Sequence, residues 1–527
     1  MKVLNIPYQS IPGISKAFLL AHTLTEPAEM FQKSRASLLG PSSANIISNS
    51  MSGLKLTPLQ QRYVDDLSSG NAFVIITGQQ PGFLGGPLYS LYKAMSCIAL
   101  AESRSHADRQ VVPVFWIEDN DHDGMETGIA TIIDTQGALH SIQCDSLENL
   151  QSRISISERT FSDDIDSVID HVASLLPTSE YGSAMVNELK EIYRSGVSWS
   201  EAFLCFMNKR LGEFGMLFLL ASKARKAGLF ADIMHKEICH PGELKSLVDK
   251  ANEELLQEGS IIQAEAGIIN AFYHDETGRR IKVEYAENDG FLIGSKTFTR
   301  NEFEEYWSDN KASFSPNVLL RPIVQDSILP TIGMVVGPGE LQYMMQLQQA
   351  YSHHELLIPI LYPRHSCTII SQSISKYLLK YGLTADSFMK SINDIEKELT
   401  ERFANDESGD HLFEKMRSDL HETMHSISKH ASTIDASLQG AVLAAEHGIE
   451  KQLDGLHKKI TSVLKKKQEQ LFIKAKEAHE WIYPNNHLQE RVLGSVSIEA
   501  KIGESAMKDA LLSIKEAERG EHIVLFP

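Results

Sequence analysis

The sequence predicts an α/β protein built on a mostly parallel sheet, with inserted subdomains and a long helical segment near the C-terminus. Three observations carry this. Runs of β-branched and aromatic residues recur at Ala72 to Thr77, Val111 to Ile117, Gly215 to Leu220, Ile332 to Val336 and Leu356 to Leu361, with helix-like stretches between them. They are apolar throughout rather than at every second residue, as strands covered on both faces must be. The gaps between the second and third runs, and between the third and fourth, far exceed the roughly ten residues of a simple crossover, so each holds an insertion. Within the second gap, Ile261 to Phe298 alternates around the turn Asp275-Glu276-Thr277-Gly278 and reads as a small antiparallel hairpin.

From Phe413 onward the period changes. Apolar residues at Phe413, Met416, Leu420, Met424, Ile427, Ala431, Ile434, Leu438, Ala441, Ala445, Ile449, Leu453, Leu456, Ile460 and Val463 step by threes and fours, the signature of a coiled coil. A long amphipathic helix packed on its own domain is the alternative. Leu378 to Phe403 could lead into it as a helix.

Composition narrows the function. Sixty-nine acidic against fifty basic side chains among 527 residues give a formal charge of -19, which disfavours nucleic acid and anionic membranes and leaves small molecules as the expected partners. The apolar stretch Ala17 to Ala21 is too short for a signal-peptide core, and no segment has the length of a membrane helix. Cys97, Cys144, Cys205, Cys239 and Cys367 are dispersed, so neither a disulfide framework nor a structural zinc is expected, and a cytoplasmic location follows. His235, Cys239 and His240 are discounted as metal ligands, because two scattered ligands do not make a site.

The chemistry concentrates at strand ends. The first run passes directly into Thr77-Gly78-Gln79-Gln80-Pro81-Gly82-Phe83-Leu84-Gly85-Gly86-Pro87 and then a helix. A glycine loop at a helix start suits phosphate or carboxylate, although neither common nucleotide fingerprint fits. Tyr89, Tyr92 and Lys93 share the face of that helix; they are either anion-binding groups or core residues beside a solvated charge. The second run enters Trp116-Ile117-Glu118-Asp119-Asn120-Asp121-His122-Asp123, where carboxylates could orient a histidine as a base, hold Mg2+, or cap a helix. A third constellation comprises Asn317, Arg321, Gln325 and Asp326, then Gly337, Gly339, Glu340 and Tyr343, with Arg364 at the fifth strand end. Arg321 could grip an anion or pair with Asp326.

Taken in order, these blocks resemble the bacillithiol biosynthesis cysteine-adding family, BshC. The matching pieces are Thr77 to Gln80 with Gly86, Pro87, Tyr89 and Lys93; Phe115 to Ile117 with Asp121-His122-Asp123; Ser315 to Asn317 with Leu320 to Pro322, Gln325 and Asp326; Gly337 to Glu340 with Tyr343; Pro363-Arg364; and Pro484-Asn485 with Leu488 to Arg491. Asn120 stands where the family usually has glutamate, and the first 60 residues match poorly.

The resemblance implies a Rossmann-like core related to nucleotidyltransferases and class I synthetases, two connecting-peptide insertions, and a coiled coil that dimerises the chain. The expected division is an N-terminal helical region (1–65), core (66–135), first insertion (136–210), core (211–235), second insertion (236–312), core (313–375), coiled coil (376–480) and a return to the core (481–527). The implied reaction adds cysteine to glucosaminyl-malate through an amide bond, with ATP or ADP and Mg2+ as the cofactor expectation and no resident metal.

On that expectation His122, oriented by Asp121 or Asp123, takes a proton from the attacking amine. Thr77, Gly78, Gln79, Gln80, Gly86, Pro87, Tyr89, Trp116, Asn317, Gln325, Asp326, Gly337, Gly339, Glu340 and Tyr343 line the pocket, while Lys93, Arg321 and Arg364 neutralise substrate or phosphate charge. A ligase or nucleotidyltransferase acting on another amino acid or sugar acid, and a non-enzymatic coiled-coil scaffold, stay open at this point.

Overall fold

The computed structural model of the chain describes residues 2–8, 34–106, 109–257, 260–286, 290–403, 410–518 and 520–526; the stretch Ala17 to Ala21 lies outside them. Five parallel strands form the central sheet: β1 (Ala72–Gln79), β2 (Gln110–Ile117), β3 (Leu217–Leu220), β4 (Thr331–Val336) and β5 (Ile360–Pro363). Their order is β5-β4-β1-β2-β3, a doubly wound sheet whose direction of winding reverses between β1 and β4. Every residue of β1 from Ala72 to Gly78 is buried, which is why its apolar run does not alternate.

The fifth strand begins later than expected. Leu356 to Ile358 are only half-buried, and Pro359 has no N–H to give a ladder, so pairing starts at Ile360. The helices that matter for the site are α1 (Tyr89–Arg104), α2 (Ala231–Cys239), α3 (Arg300–Asn310), α4 (Arg321–Ile328) and α5 (Pro338–Met345).

Both long gaps between core strands contain sheet, the first starting ahead of the boundary drawn at 136. Ile129–Ile133 and Leu139–Gln143 form a hairpin that the sequence reading passed over. In place of the expected small hairpin there is a five-stranded antiparallel sheet, in the order 296–298, 290–293, 280–286, 271–274, 314–316. Its last strand lies beyond the boundary drawn at 312. Phe314 explains this, because its ring packs on Tyr273, Phe303 and Trp307 and draws Ser315 and Pro316 into the sheet.

The N-terminal region is not wholly helical. Lys2–Pro7 is a strand antiparallel to Glu521–Phe526, which in turn runs parallel to Ser366–Ile369. Two helices do follow, Pro41–Ser50 and Pro58–Ser68, the second closed by a Thr57–Gln60 capping box. Arg35 is fully buried and donates to the carbonyls of Thr331, Asp326 and Leu357, which fixes this region against the end of α4 and the start of β4.

Residues Leu379–Asn486 form a separate compact unit. The expected helix from Leu378 to Phe403 is two, Gln372–Tyr381 and Ile392–Phe403, the first ending at Gly382 with φ +60°. The heptad segment is likewise not one continuous rod. Helix α6 (Asp410–Ile434) and helix α7 (Leu438–Ile482) are antiparallel about a turn at Asp435-Ala436-Ser437. Arg417 pairs with Asp454 at 2.6 Å, His421 with Glu446 at 2.9 Å and His457 with Asp410 at 2.6 Å, while Phe413 stacks on His457. Among the described residues no helix is long and apolar enough to cross a membrane, and all five cysteines are free.

His522 gives the terminal sheet a pH dependence. Its buried ring joins Ser366 Oγ at 2.8 Å and Thr368 Oγ1 at 2.9 Å. Burial lowers its pKa from 6.5 to about 4, against the opposing charge of Glu490. Between those values the unfolded chain binds the extra proton, so the stability present above pH 6.5 is lost as pH falls towards 4, on the order of 3 kcal/mol in all. Urea unfolding at pH 7 and pH 4.5 should show a smaller acid-induced loss in His522→Asn than in wild type. Equal losses would refute the assignment.

Candidate active site

The crevice where strand order reverses is occupied by Lys93. Gly78 and Gln79 end β1, Gly337 precedes α5, and Lys93 on the second turn of α1 reaches between them. Its ammonium donates to Gly78 O at 3.0 Å and Gln79 Oε1 at 2.9 Å, and lies 2.5 Å from Glu340 Oε2. Glu340 also accepts from Gly337 N at 2.8 Å, closing the first turn of α5. Burial lowers the Lys93 pKa, and the Glu340 charge opposes that shift. Tyr89, one turn earlier, accepts from Gln79 Nε2 at 3.3 Å, and burial pushes its phenol up to about 12. Thr77 donates to Val335 O, tying β1 to β4.

Helix α4 supplies the second wall. Asn317 closes the turn that leads into it, accepting from Leu319 N and Leu320 N and donating to Asn270 Oδ1. Arg321 donates to Gln325 Oε1 at 3.1 Å and Tyr343 OH at 2.8 Å. Its pKa rises although burial works against it, because Tyr343, Glu118 and Glu340 are close. Arg321 therefore does not pair with Asp326. That carboxylate is fully buried, accepts from Tyr351 OH and lies 3.9 Å from Arg35. Gly339 sits in the first turn of α5, facing Gln263.

The acidic segment after β2 divides into distinct tasks. Trp116, buried and stacked on Phe230, donates to Glu118 Oε2 at 2.9 Å. Burial raises the Glu118 pKa, with Arg321 and Arg280 pulling the other way. Asp119 caps the helix Ala221–Lys226 through Ser222 N and Oγ. Asn120 is buried, and its Oδ1 accepts from Arg225 Nε at 2.8 Å. Asp123 is exposed and caps the short turn 124–127 through Glu126 N; it does not orient His122.

Asp121 is the residue that meets His122. Its carboxylate accepts from Arg280 Nη1 at 2.6 Å, Gln80 Nε2 at 2.6 Å and His122 N at 2.8 Å, and His122 Nδ1 lies 3.3 Å away. Burial would raise its pKa, but His122 and Arg280 outweigh burial and hold it well below the usual carboxylate range. Arg280 comes from the inserted sheet, lies 4.0 Å over the Phe272 ring and donates to Pro316 O. The His122 ring is half-buried beside Phe272, at 6.4 Å between centroids.

The glycine loop is built for close packing. A Cβ at Gly82 would lie 2.7 Å from Gly86 Cα, at Gly85 2.2 Å from the Phe206 ring, and at Gly494 2.9 Å from Gly86 O. Leu84, Gly85 and Gly86 all have positive φ. Gly85 N, Gly86 N and Leu88 N are bonded to Gly82 O, Phe83 O and Leu493 O, so these amides do not form a phosphate cradle. Beside the loop is a cavity of about 310 Å³ lined by Phe83, Gly86, Pro87, Glu126 and Arg491 among others. The Glu126 carboxyl pKa is raised by burial and by Asp123 and Asp121, which places it near the acidic segment. Arg364 is locked to Glu490 Oε1 at 2.6 Å beneath Tyr89.

The residues expected from sequence thus form two connected groups. Lys93, Gln79, Tyr89, Gly78, Gly337, Glu340, Arg321, Gln325 and Tyr343 fill the crevice, and Gln80 leads from it to Asp121 and His122. Thr77, Asn317, Asp326 and Asp123 brace the walls. Sequence reading missed Arg280, which sits on an unremarked strand, and assigned no role to Glu118, Glu490 or Arg491, although these lay inside the blocks it singled out.

Residues 21–365 match the family model described as Bacillithiol biosynthesis BshC, N-terminal Rossmann-like domain, and residues 367–527 match that of the C-terminal coiled-coil domain. Similar curated proteins are named, provisionally, cysteine ligase BshC. That of Chlorobaculum tepidum is 29% identical over 482 residues, covering 88% of this chain and 85% of the relative. That of Salinibacter ruber is 28% identical, covering 82% and 79%. That of Staphylococcus carnosus is 26% identical, covering 87% and 86%.

The Arg364–Glu490 pair gives a direct test of the packing. Glu490 is fully buried and also accepts from Ser366 Oγ and Cys367 N. Glu490→Ala should strand a buried guanidinium and cost about 3–5 kcal/mol in chemical denaturation. A loss below about 1 kcal/mol would mean that Arg364 reaches solvent.

Proposed function

The chain belongs to the bacillithiol biosynthesis BshC family, and from that premise we propose that it is a cysteine ligase, joining the carboxyl group of L-cysteine to the amine of glucosaminyl-malate as the last step of bacillithiol synthesis. The observation that carries this reading is the His122–Asp121 pair beyond the end of β2, with Arg280 and Gln80 fixing the carboxylate. An amine attacks only after losing a proton, and an imidazole held beside a fixed carboxylate is suited to accept it. Asp121 sets a carboxylate 3.3 Å from His122 Nδ1.

Substrate charge is met elsewhere than first expected. Lys93, Arg321 and Arg364 each have partners inside the protein, so their part is to set the walls. Arg491, exposed and lining the cavity beside the glycine loop, is the cation we assign to the malate carboxylates. A cavity of about 310 Å³ is of small-molecule size.

Condensing a carboxylate with an amine releases water and needs an activated carboxyl, so ATP with Mg2+ enters the proposal as a co-substrate. The loop amides and the Asp121 carboxylate are already engaged, so no step is routed through a nucleotide or metal at those atoms. The proposal places the enzyme in the cytoplasm, where its five free thiols stay reduced.

Purified protein given cysteine and glucosaminyl-malate, with and without ATP and Mg2+, should form bacillithiol. His122→Ala should lower turnover by roughly 10²–10⁴-fold, and Arg491→Ala should chiefly raise KM for glucosaminyl-malate. No product, or undiminished turnover in His122→Ala, would sink the reading.

The proposal includes a homodimer formed through the coil. Phe413 and Met424 are buried, but Met416, Ile427, Ile434, Leu438, Ile449, Leu456 and Val463 remain exposed, more apolar surface than the α6–α7 hairpin uses. Leu438→Asp combined with Leu456→Asp should give a monomer by light scattering. An unchanged dimer mass, or a monomeric wild type, would refute this part.

A further inference from the structure

His235 and Cys239, set aside on sequence alone, acquire a third neighbour in the fold. They lie one turn apart on α2, and α3 brings Glu304 against both. Cys239 Sγ is 3.5 Å from His235 Nε2 and 3.3 Å from Glu304 Oε1, and His235 Nε2 is 2.8 Å from Glu304 Oε2. One ligand atom from each lies within 4.8 Å of the others. A tetrahedral Zn2+ with bonds of about 2.0–2.3 Å separates its ligand atoms by roughly 3.3–3.8 Å, so the cluster has nearly the spacing such a site needs.

The surroundings suit a cation. Cys239 is buried, whereas His235 and Glu304 are partly open, leaving one side for a solvent ligand. The Trp307 ring, 5.2 Å from that of His235, restrains the imidazole. Arg300 donates to the Cys239 carbonyl at 2.7 Å, and its charge favours the anionic forms of Cys239 and Glu304.

From this arrangement the geometry points to a divalent-metal site, suited to Zn2+, with His235 Nε2, Cys239 Sγ and a Glu304 carboxylate oxygen as ligands and water in the fourth position. Nitrogen, thiolate and carboxylate together are a zinc-type donor set. On binding, the Cys239 thiol releases its proton to solvent and the sulfur bonds the metal; no electron is transferred. The ion would link α2, which follows the third core strand, to α3, which packs under the inserted sheet. It is independent of the ligase reading.

The test uses the full chain stripped with a chelator and refilled with one equivalent of Zn2+ or Co2+. Zn2+ should bind one per chain and raise Tm, and Co2+ should give a thiolate-to-cobalt charge-transfer band in the near ultraviolet. Cys239→Ser should abolish that band, while Cys205→Ser, which removes an exposed thiol on another helix, keeps it. His235→Ala and Glu304→Gln should each weaken binding by roughly tenfold or more. No band in wild type, a band that survives Cys239→Ser, or affinities unchanged in the other two variants would overturn the site. Loss of metal with bacillithiol synthesis intact would leave the ligase reading standing, and the reverse result would leave the metal site standing.

Discussion

A lysine side chain with almost no solvent stands at the crevice between β1 and β4, and the fold around it supplies partners in place of water. Removing such a group from water costs several kcal/mol unless partners replace the lost hydration. Gly78 O, Gln79 Oε1 and Glu340 take that role for Lys93. Each belongs to a different constraint: Gly78 must lack a side chain because a Cβ there would press on Trp116 O at 2.9 Å, Gln79 ends the central strand, and Glu340 closes the first turn of α5. The Lys93 charge therefore locks strand, loop and helix into one geometry at the place where open α/β sheets bind ligands.

From that lock the rest of the site follows by short links. Gln79 is held by Lys93, so Gln80 is directed towards Asp121, and Asp121 in turn is completed only by Arg280 from the inserted sheet. The core alone would leave this carboxylate with fewer partners and His122 with a less fixed neighbour. The second insertion is thus part of the site as well as an addition to the sheet.

The sequence was legible where one physical signal has one structural meaning. Strands buried on both faces must be apolar throughout, and all five runs became strands of one parallel sheet, the third beginning only at Leu217, after the left-handed Gly215, and the last shifted past Pro359. The site was legible in its addresses and less so in its roles. Strand ends and helix starts were the right places, but a glycine loop can serve a ligand or tight packing, and the letters do not say which. Here Phe206 and Gly494 decide for packing. Arg280 illustrates the opposite failure. It lies on an ordinary strand of an insertion, and only the folding of that sheet against the core gives it Asp121 as a partner.

The coiled segment shows why a period alone underdetermines a fold. Apolar steps of three and four continue from Phe413 to Val463, so the letters describe one long helical stretch. What interrupts it is Asp435-Ala436-Ser437, where the Asp435 carboxylate accepts from Ser437 N at 2.8 Å and holds a local turn in place of the helix. Folding back lets Phe413 stack on His457 and brings Arg417 to Asp454, contacts that a lone straight helix lacks. The hairpin seam takes only part of the apolar stripe, so residues such as Met416, Ile427, Leu438 and Leu456 stay exposed. A stripe wider than the seam it closes leaves apolar surface beyond the hairpin, the surface on which the proposed dimer rests. On the proposed dimer, the same apolar positions would serve both pairings on one surface.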